Sequence, residues 1–327
     1  VNGILVEHDR DATSRYARRL MNLLTVVEKG DDGKWRITVE NVVTLSQQDQ
    51  AQMVDTVPAA RLVADMDDAG IARGVVPSMA YHLARDPEEH PGERALVQAE
   101  NDWTVQQVNA FPDRLVAFCS VNVLKEYSIE EMDRCARMPL VRGMKLHGCC
   151  AIDLKNPTHV EKLRRFFRAA NERRMPIMVH LANDVTSISP VYGPEHARAF
   201  LEQVLPAAPD IPIQLAHMGA CCAFTTGRQD EAVKVFADAI AAGNPATKNL
   251  YFDMTGSVVA STTPAALDSL AKRMRTIGLH RVLFGSDLPF GPVLAPPGPS
   301  WALFRRRMPL TDDEIRVIAG NVAPYLR

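Results

Sequence analysis

Between residues 59 and 322 the apolar positions change period at regular intervals. They recur every three or four residues, as on one face of a helix, over Ala59–Ala69, Pro91–Phe111, Ser128–Arg137, His159–Arg174, Tyr192–Leu205, Gln229–Ala242, Pro264–Ile277 and Asp312–Val322. Between these segments lie short apolar runs: Ile71–Met79, Arg114–Asn122, Val141–His147, Pro176–His180, Ile211–His217, Asn249–Gly256 and Arg281–Phe290. Runs of this length with little polar alternation are what strands covered on both faces of a parallel sheet require. Seven such strands alternating strictly with helices predict an α/β fold, a distorted (β/α)8 TIM barrel one strand short of closure. The missing first strand is either residues 3–8 or a segment upstream of Val1.

The first 55 residues break this rhythm. Tyr16, Leu20, Leu23 and Leu24 share the face of a helix over Asp11–Leu24. The alternating runs Leu24–Val27 and Trp35–Val39, joined by the glycine-bearing stretch Lys29–Lys34, read as a β-hairpin. We therefore expect a helix and hairpin insertion over residues 1–55 decorating a barrel core over 56–327. No Pro/Ser-rich linker divides the chain, so a single domain is expected. The run Pro292–Pro299 follows a strand end and reads as an active-site loop.

Composition narrows the partners. Lys plus Arg (37) nearly balances Asp plus Glu (39), and no basic block stands out, which argues against a nucleic-acid surface and for a small-molecule substrate. No apolar stretch is long enough to span a membrane, and no signal-peptide pattern opens the chain. The six cysteines lack Cys-x-x-Cys spacing; Cys119 and Cys135 read as small buried apolar residues, and Cys149-Cys150 and Cys221-Cys222 as a small-residue wall. Free thiols in this number fit a reducing cytoplasm.

Polar residues gather where strands end. Lys145 and His147 close one run, His180 the next, His217 the next, then Asp253, and finally Asp287 after Phe284-Gly285-Ser286. A barrel delivers every such end to one rim, so residues far apart in sequence become neighbours. Imidazole and carboxylate are the ligand set of zinc and similar divalent ions. Lys145 and His147 are two residues apart and point to the same side of a strand. Asp253 is read as a substrate contact or the partner of a cation. Glu100-Asn101-Asp102-Trp103 reads as a solvated helix face with one packed indole, and His82, His90, His159, His196 and His280 as surface or structural.

The strand ends Val179-His180, Leu215-Ala216-His217 and Gly285-Ser286-Asp287-Leu288-Pro289-Phe290, in this order, resemble the amidohydrolase superfamily. The branch is the amidohydrolase-related one that contains aminocarboxymuconate-semialdehyde decarboxylase-like proteins. Met66–Gly70 and Phe111–Leu115 also match, whereas residues before 55 match little. The resemblance implies a divalent metal, zinc or else manganese, held by His180, His217 and Asp287, with Lys145 as a further ligand if carboxylated. It gives Asp287 the role of base toward metal-bound water and His217 that of orienting water or substrate. Lys145 either bridges metals or orients substrate. The expected activity is metal-dependent hydrolysis of a small carboxylated, lactone or amide-type substrate. A non-oxidative decarboxylase and a metal-free, catalytically impaired binding protein are the alternatives. A homo-dimer or larger assembly is expected.

The chain departs from that pattern at one point. The superfamily carries His-x-His at the end of its first strand, and this sequence has none. The expected explanation is that the pair lies upstream of Val1; the alternative is Val6-Glu7-His8, which contributes only His8.

Overall fold

The computed structural model describes residues 27–29, 35–37, 58–84, 88–148, 152–181, 192–220, 223–287 and 296–327. Strands β1 (Val27–Lys29) and β2 (Trp35–Ile37) pair antiparallel, Glu28 opposite Arg36, which is the expected hairpin. The helix expected over Asp11–Leu24, and His8, lie outside the described residues.

From residue 58 the strand and helix alternation is realised. Strands β3 (Gly74–Pro77), β4 (Leu115–Ser120), β5 (Val141–His147), β6 (Ile177–His180), β7 (Ile213–Leu215), β8 (Leu250–Asp253) and β9 (Val282–Leu283) form one seven-stranded parallel sheet in sequence order. This is the strand order of a TIM-type barrel, with the described strands ending at β3 on one side and β9 on the other. The helices are α1 (Ala59–Asp68), α2 (Glu93–Asn109), α3 (Ser128–Cys135), α4 (Pro157–Glu172), α5 (Pro194–Ala199), α6 (Arg228–Ala241), α7 (Pro264–Ile277), α8 (Pro297–Arg307) and α9 (Asp312–Ala319). Local chemistry sets several starts. Asn156 and Thr263 cap α4 and α7, each followed by proline, and Thr311 with Glu314 forms a capping box on α9.

Register decides which side of the sheet each residue serves. Phe252 meets Phe236 of α6 edge-on, in a row of rings continuing through Phe200 to Phe167 of α4. That face looks toward the helices. Leu146, Val179 and Leu215 are in register with Phe252 and are buried on the same side. The alternate residues Ser120, Lys145, Met178, Gln214 and Tyr251 are in register with one another and point into the barrel. Two residues further along, His147 pairs with His180 in the next inward layer. Below, Gly143 gives up its side chain to the ring of Phe118; a Cβ there would lie 2.5 Å from that ring and 2.6 Å from the carbonyl of Pro176.

Three elements differ from the sequence reading. Pro297 opens helix α8, so the proline run is partly a helix N-terminus, where a fixed φ and a missing N–H cost nothing. The last strand is two residues long, and Asp287 lies four residues beyond it with φ 58° rather than at the strand's tip. His217 likewise lies past β7, in a short 3-10 turn (Ala216–Gly219).

Candidate active site

The rim holds a row of rings. Tyr81 and His82 come from a 3-10 turn (Ala80–Ala84) after β3, His147 from β5, His180 from β6 and His217 from the turn after β7. Tyr81 stacks on His147 with centroids 4.7 Å apart and planes 18° apart. His147 lies 4.0 Å from His180, and His180 lies 4.4 Å from His217. His82 closes the far end, 5.9 Å from His147. Of the two readings for His82, surface or structural, the structure excludes the surface one, since it is buried against the row. A 3-10 turn has no apolar periodicity to signal it in sequence.

His180 is 5% exposed, and its Nε2 has no hydrogen-bond partner among the described residues. Burial, followed by His147, His217, Lys145 and His82 around it, holds its imidazole well below the usual range, so the ring is neutral at pH 7. A cavity of about 20 Å³, room for one water molecule, is lined by His180, His147, Gly148 and the apolar side chains of Leu146, Leu163 and Val179.

His217 is also buried, and its Nδ1 lies 2.7 Å from the Thr255 carbonyl. A carbonyl only accepts, so Nδ1 carries a proton, and in the neutral form of the ring Nε2 is the bare nitrogen. The backbone is strained to hold this: His217 (φ 54°, ψ 40°) and Met218 (φ 59°, ψ 22°) are consecutive left-handed residues. Each costs on the order of 1–3 kcal/mol and persists only where the surroundings fix it.

Asp253 does the fixing. Its Oδ1 accepts from the N–H of His217 at 3.0 Å and of Thr255 at 3.1 Å, and its Oδ2 accepts from Gln214 Nε2 at 2.6 Å. It is 3% exposed, so it is a buried organiser of the β7 and β8 ends; the expectation of a substrate contact or cation partner is replaced by this role. Thr255 also presses on the segment leading to Asp287, for a Cβ at Gly285 would collide with Thr255 Oγ1. Phe284 is braced edge-on by Trp301 of α8.

A polar network supports the other flank. Asn101, fully buried in α2, accepts from the N–H of Ser120 at 2.9 Å and donates to its carbonyl at 3.1 Å and to Glu131 Oε1 at 2.7 Å. Arg134 grips the two oxygens of Glu131 at 2.7 and 2.8 Å. Ser120 Oγ in turn accepts from the N–H of Tyr81 at 3.0 Å, which sets the ring row's first member. Glu100 and Asn101 are therefore core residues and not a solvated face; Asp102, in an ion pair with Arg134 at 2.6 Å, is the part of that segment that meets solvent. Apolar periodicity is blind to buried amides of this kind.

The donor chemistry fits a divalent ion at two positions: a neutral His180 with a buried Nε2 that has no partner among the described residues, and His217 with its tautomer set by a carbonyl. Among the described residues no three His, Cys, Asp or Glu side chains converge closely enough to hold a metal ion, so Asp287 does not complete the set there. Lys145 lies buried one layer beneath His147. His8, Cys149-Cys150 and Cys221-Cys222 lie outside the described residues. Cys119 and Cys135 are buried free thiols, as expected.

The sequence pattern of the amidohydrolase family matches residues 58–323. No curated protein matches the chain in sequence. Among solved structures it is similar to 5-carboxyvanillate decarboxylase from Sphingomonas paucimobilis, at 18% identity and TM-score 0.54, covering 79% of each chain. It is similar to a dihydroxybenzoic acid decarboxylase from Polaromonas holding manganese and the inhibitor 2-nitroresorcinol, at 16% identity and TM-score 0.55, covering 84% of this chain and 87% of that one. An amidohydrolase from Burkholderia multivorans with bound zinc is similar at 12% identity and TM-score 0.56, covering 83% and 88%.

Proposed function

Because this chain belongs to the amidohydrolase family, we propose that it is a divalent-metal-dependent enzyme removing carbon dioxide, without oxidation, from a small carboxylated ring compound. The observation that carries this reading is the row Tyr81, His147, His180 and His217, flat rings around a neutral imidazole whose buried Nε2 has no partner among the described residues. The names of the similar decarboxylases support decarboxylation over hydrolysis, and the manganese and zinc in two solved structures support a metal of that class.

In this reading His180 and His217 would hold the metal with their Nε2 atoms. Bound there, a divalent ion supplies a Lewis acid that polarises a substrate oxygen. The chain's own groups do the rest. Lys145 holds the substrate carboxylate by charge. His147, stacked on Tyr81, gives the ring a flat wall. The bond from ring carbon to carboxylate breaks, its electron pair remains on the ring carbon, and carbon dioxide leaves. A proton passed by Asp287 then fills that carbon. Hydrolysis, with Asp287 as base toward water, uses the same residues.

The two chemistries separate in labelled water. The protein loaded with Mn²⁺ or Zn²⁺ is given hydroxybenzoates and, separately, lactones, in D2O and in H2¹⁸O. The expected result is release of carbon dioxide with deuterium entering the ring at the vacated carbon. Uptake of ¹⁸O into an opened lactone without carbon dioxide release replaces decarboxylation by hydrolysis, and no turnover in either arm with no metal retained leaves the binding-protein reading.

A further inference from the structure

We infer that Tyr325, Gln214 and Asp253 are positioning residues, a hydrogen-bonded chain that fixes the backbone and the ring tautomer of His217 from beneath the site. Its consequence for turnover rests on the proposed role of His217; its effect on the His217 ring does not.

The direction of every bond in the chain is chemically determined. The Asp253 carboxylate only accepts, so the amide nitrogen of Gln214 faces it, at 2.6 Å. The amide oxygen of Gln214 is then turned toward Tyr325, whose hydroxyl donates to it. Burial, and next the charge of Asp253, push the Tyr325 phenol up, so it remains a donor. Gln214 and Asp253 are buried, and the Tyr325 ring rests edge-on against Phe118, centroids 4.8 Å apart, in the layer below. The Asp253 end fixes the amide, because flipping it would set two oxygens face to face there, whereas the Tyr325 hydroxyl can accept as well as donate.

The other end of the chain meets the strained turn. One oxygen of Asp253 accepts from the N–H of His217 and also from that of Thr255, the residue whose carbonyl takes the ring proton of His217. A single carboxylate oxygen thus sets both the left-handed backbone of His217 and the acceptor that selects its tautomer. The outcome is a ring whose Nδ1 is held by the Thr255 carbonyl and whose centroid lies 4.4 Å from that of His180. Gln214 fixes which oxygen of Asp253 is available for this, and Tyr325 fixes Gln214. The final short 3-10 turn (Pro324–Leu326) is thereby coupled to the rim through the barrel's interior.

The test uses the whole chain without added metal, labelled with ¹⁵N-histidine, alongside turnover of the metal-loaded protein. In the unsubstituted protein the expected His217 ring signal is that of a protonated Nδ1 and a bare Nε2, with a backbone amide strongly protected from exchange. Tyr325→Phe removes only the hydroxyl, and Gln214→Leu removes the amide. Both are expected to lose the single tautomer, to speed His217 amide exchange, and to lower kcat by about 10–100-fold with little change in KM, the effect usual for groups that orient a metal ligand. Ile318→Val, a small cavity under the buried face of α9, serves as the control for general loosening and is expected to leave the His217 signals in place. The inference is overturned by an unprotected His217 amide or an Nε2–H tautomer in the unsubstituted protein, by unchanged His217 signals in both chain variants, or by the same changes in Ile318→Val. Altered His217 signals in a protein that turns over nothing would uphold the chain and remove the proposed function instead.

Discussion

At the scale of single residues, the site depends on atoms that are missing as much as on those present. Gly285 has no side chain where Thr255 Oγ1 needs the space. Gly285→Ala must therefore push Thr255 or the Asp287 segment aside, a strain of about 1–3 kcal/mol. Thr255 also supplies the carbonyl that holds His217 Nδ1, so the damage is expected to reach the imidazole row. The expected double-mutant cycle is diagnostic: Thr255→Ala removes the colliding atom, so the pair Gly285→Ala and Thr255→Ala should cost clearly less than the sum of the singles. Additivity in denaturant melts would show that the close approach is not what Gly285 is there for. His180 makes the complementary prediction. If its bare Nε2 is a metal ligand, Zn²⁺ or Mn²⁺ at about 100 times Kd should raise stability by about 2.7 kcal/mol, by mass action on the folded state alone. His180→Ala should abolish most of that shift, and a shift equal to that of the unsubstituted protein would take His180 out of the ligand set.

Among the elements, the loops on the β3 and β4 side are tied by an ion pair removed from water. The side chains of Lys125 and Glu93 are 1% and 2% exposed and lie 2.8 Å apart, Lys125 also donates to the carbonyl of Glu88, and Tyr127 donates to Glu93 at 2.7 Å. Lys125→Met leaves Glu93 buried with the Tyr127 phenol as its remaining side-chain partner among the described residues, which should cost about 3–5 kcal/mol. Adding Glu93→Leu should recover much of the loss, and a double variant as unstable as Lys125→Met would mean that packing and not charge is responsible. Little of this was legible in the sequence. The parallel strands and their helices were, because apolar periodicity is a direct record of which faces are buried, and β5, β6 and α7 fall where the pattern puts them. Residues close to strand ends, His180 above all, were found because strand direction carries them to one rim. His82, Asn101 and Tyr325 were not found. The first sits on a 3-10 turn, the second is an amide buried by partners remote in sequence, and the third is paired with Gln214 across 111 positions. Each owes its place to contacts that no local period encodes.

For the molecule as a whole, the buried ionisable groups set how stability responds to acid, and they divide into two sets. Burial foremost depresses His159 and His196, as it does His180 in the absence of metal. These rings refuse protons when folded and accept them near pH 6.5 when unfolded, so their contribution is present above about pH 6.5 and is lost as pH falls from there toward the folded values. The carboxylates behave differently. Burial opposes the charge on Glu131 and Asp230, but Arg134 with Asn101, and Arg273, outweigh it and hold both groups below the usual carboxylate range. Asp133 is lowered chiefly by Arg173, and Glu195 is brought to about 2, first by a backbone hydrogen bond and next by Arg228. Their contribution is present above about pH 4.5 and is lost as pH falls through the depressed values. The melting temperature should therefore be level above about pH 7, decline gently from 6.5 to 5 as the imidazoles come into play, and fall steeply below 4.5. Bound metal sharpens the first limb, because protons and metal compete for the same nitrogens. Calorimetry from pH 8 to 3, with and without Zn²⁺, checks both limbs. A melting temperature that rises between pH 6.5 and 5 in the metal-free protein would mean that these imidazoles are charged in the fold, which the burial that depresses them opposes.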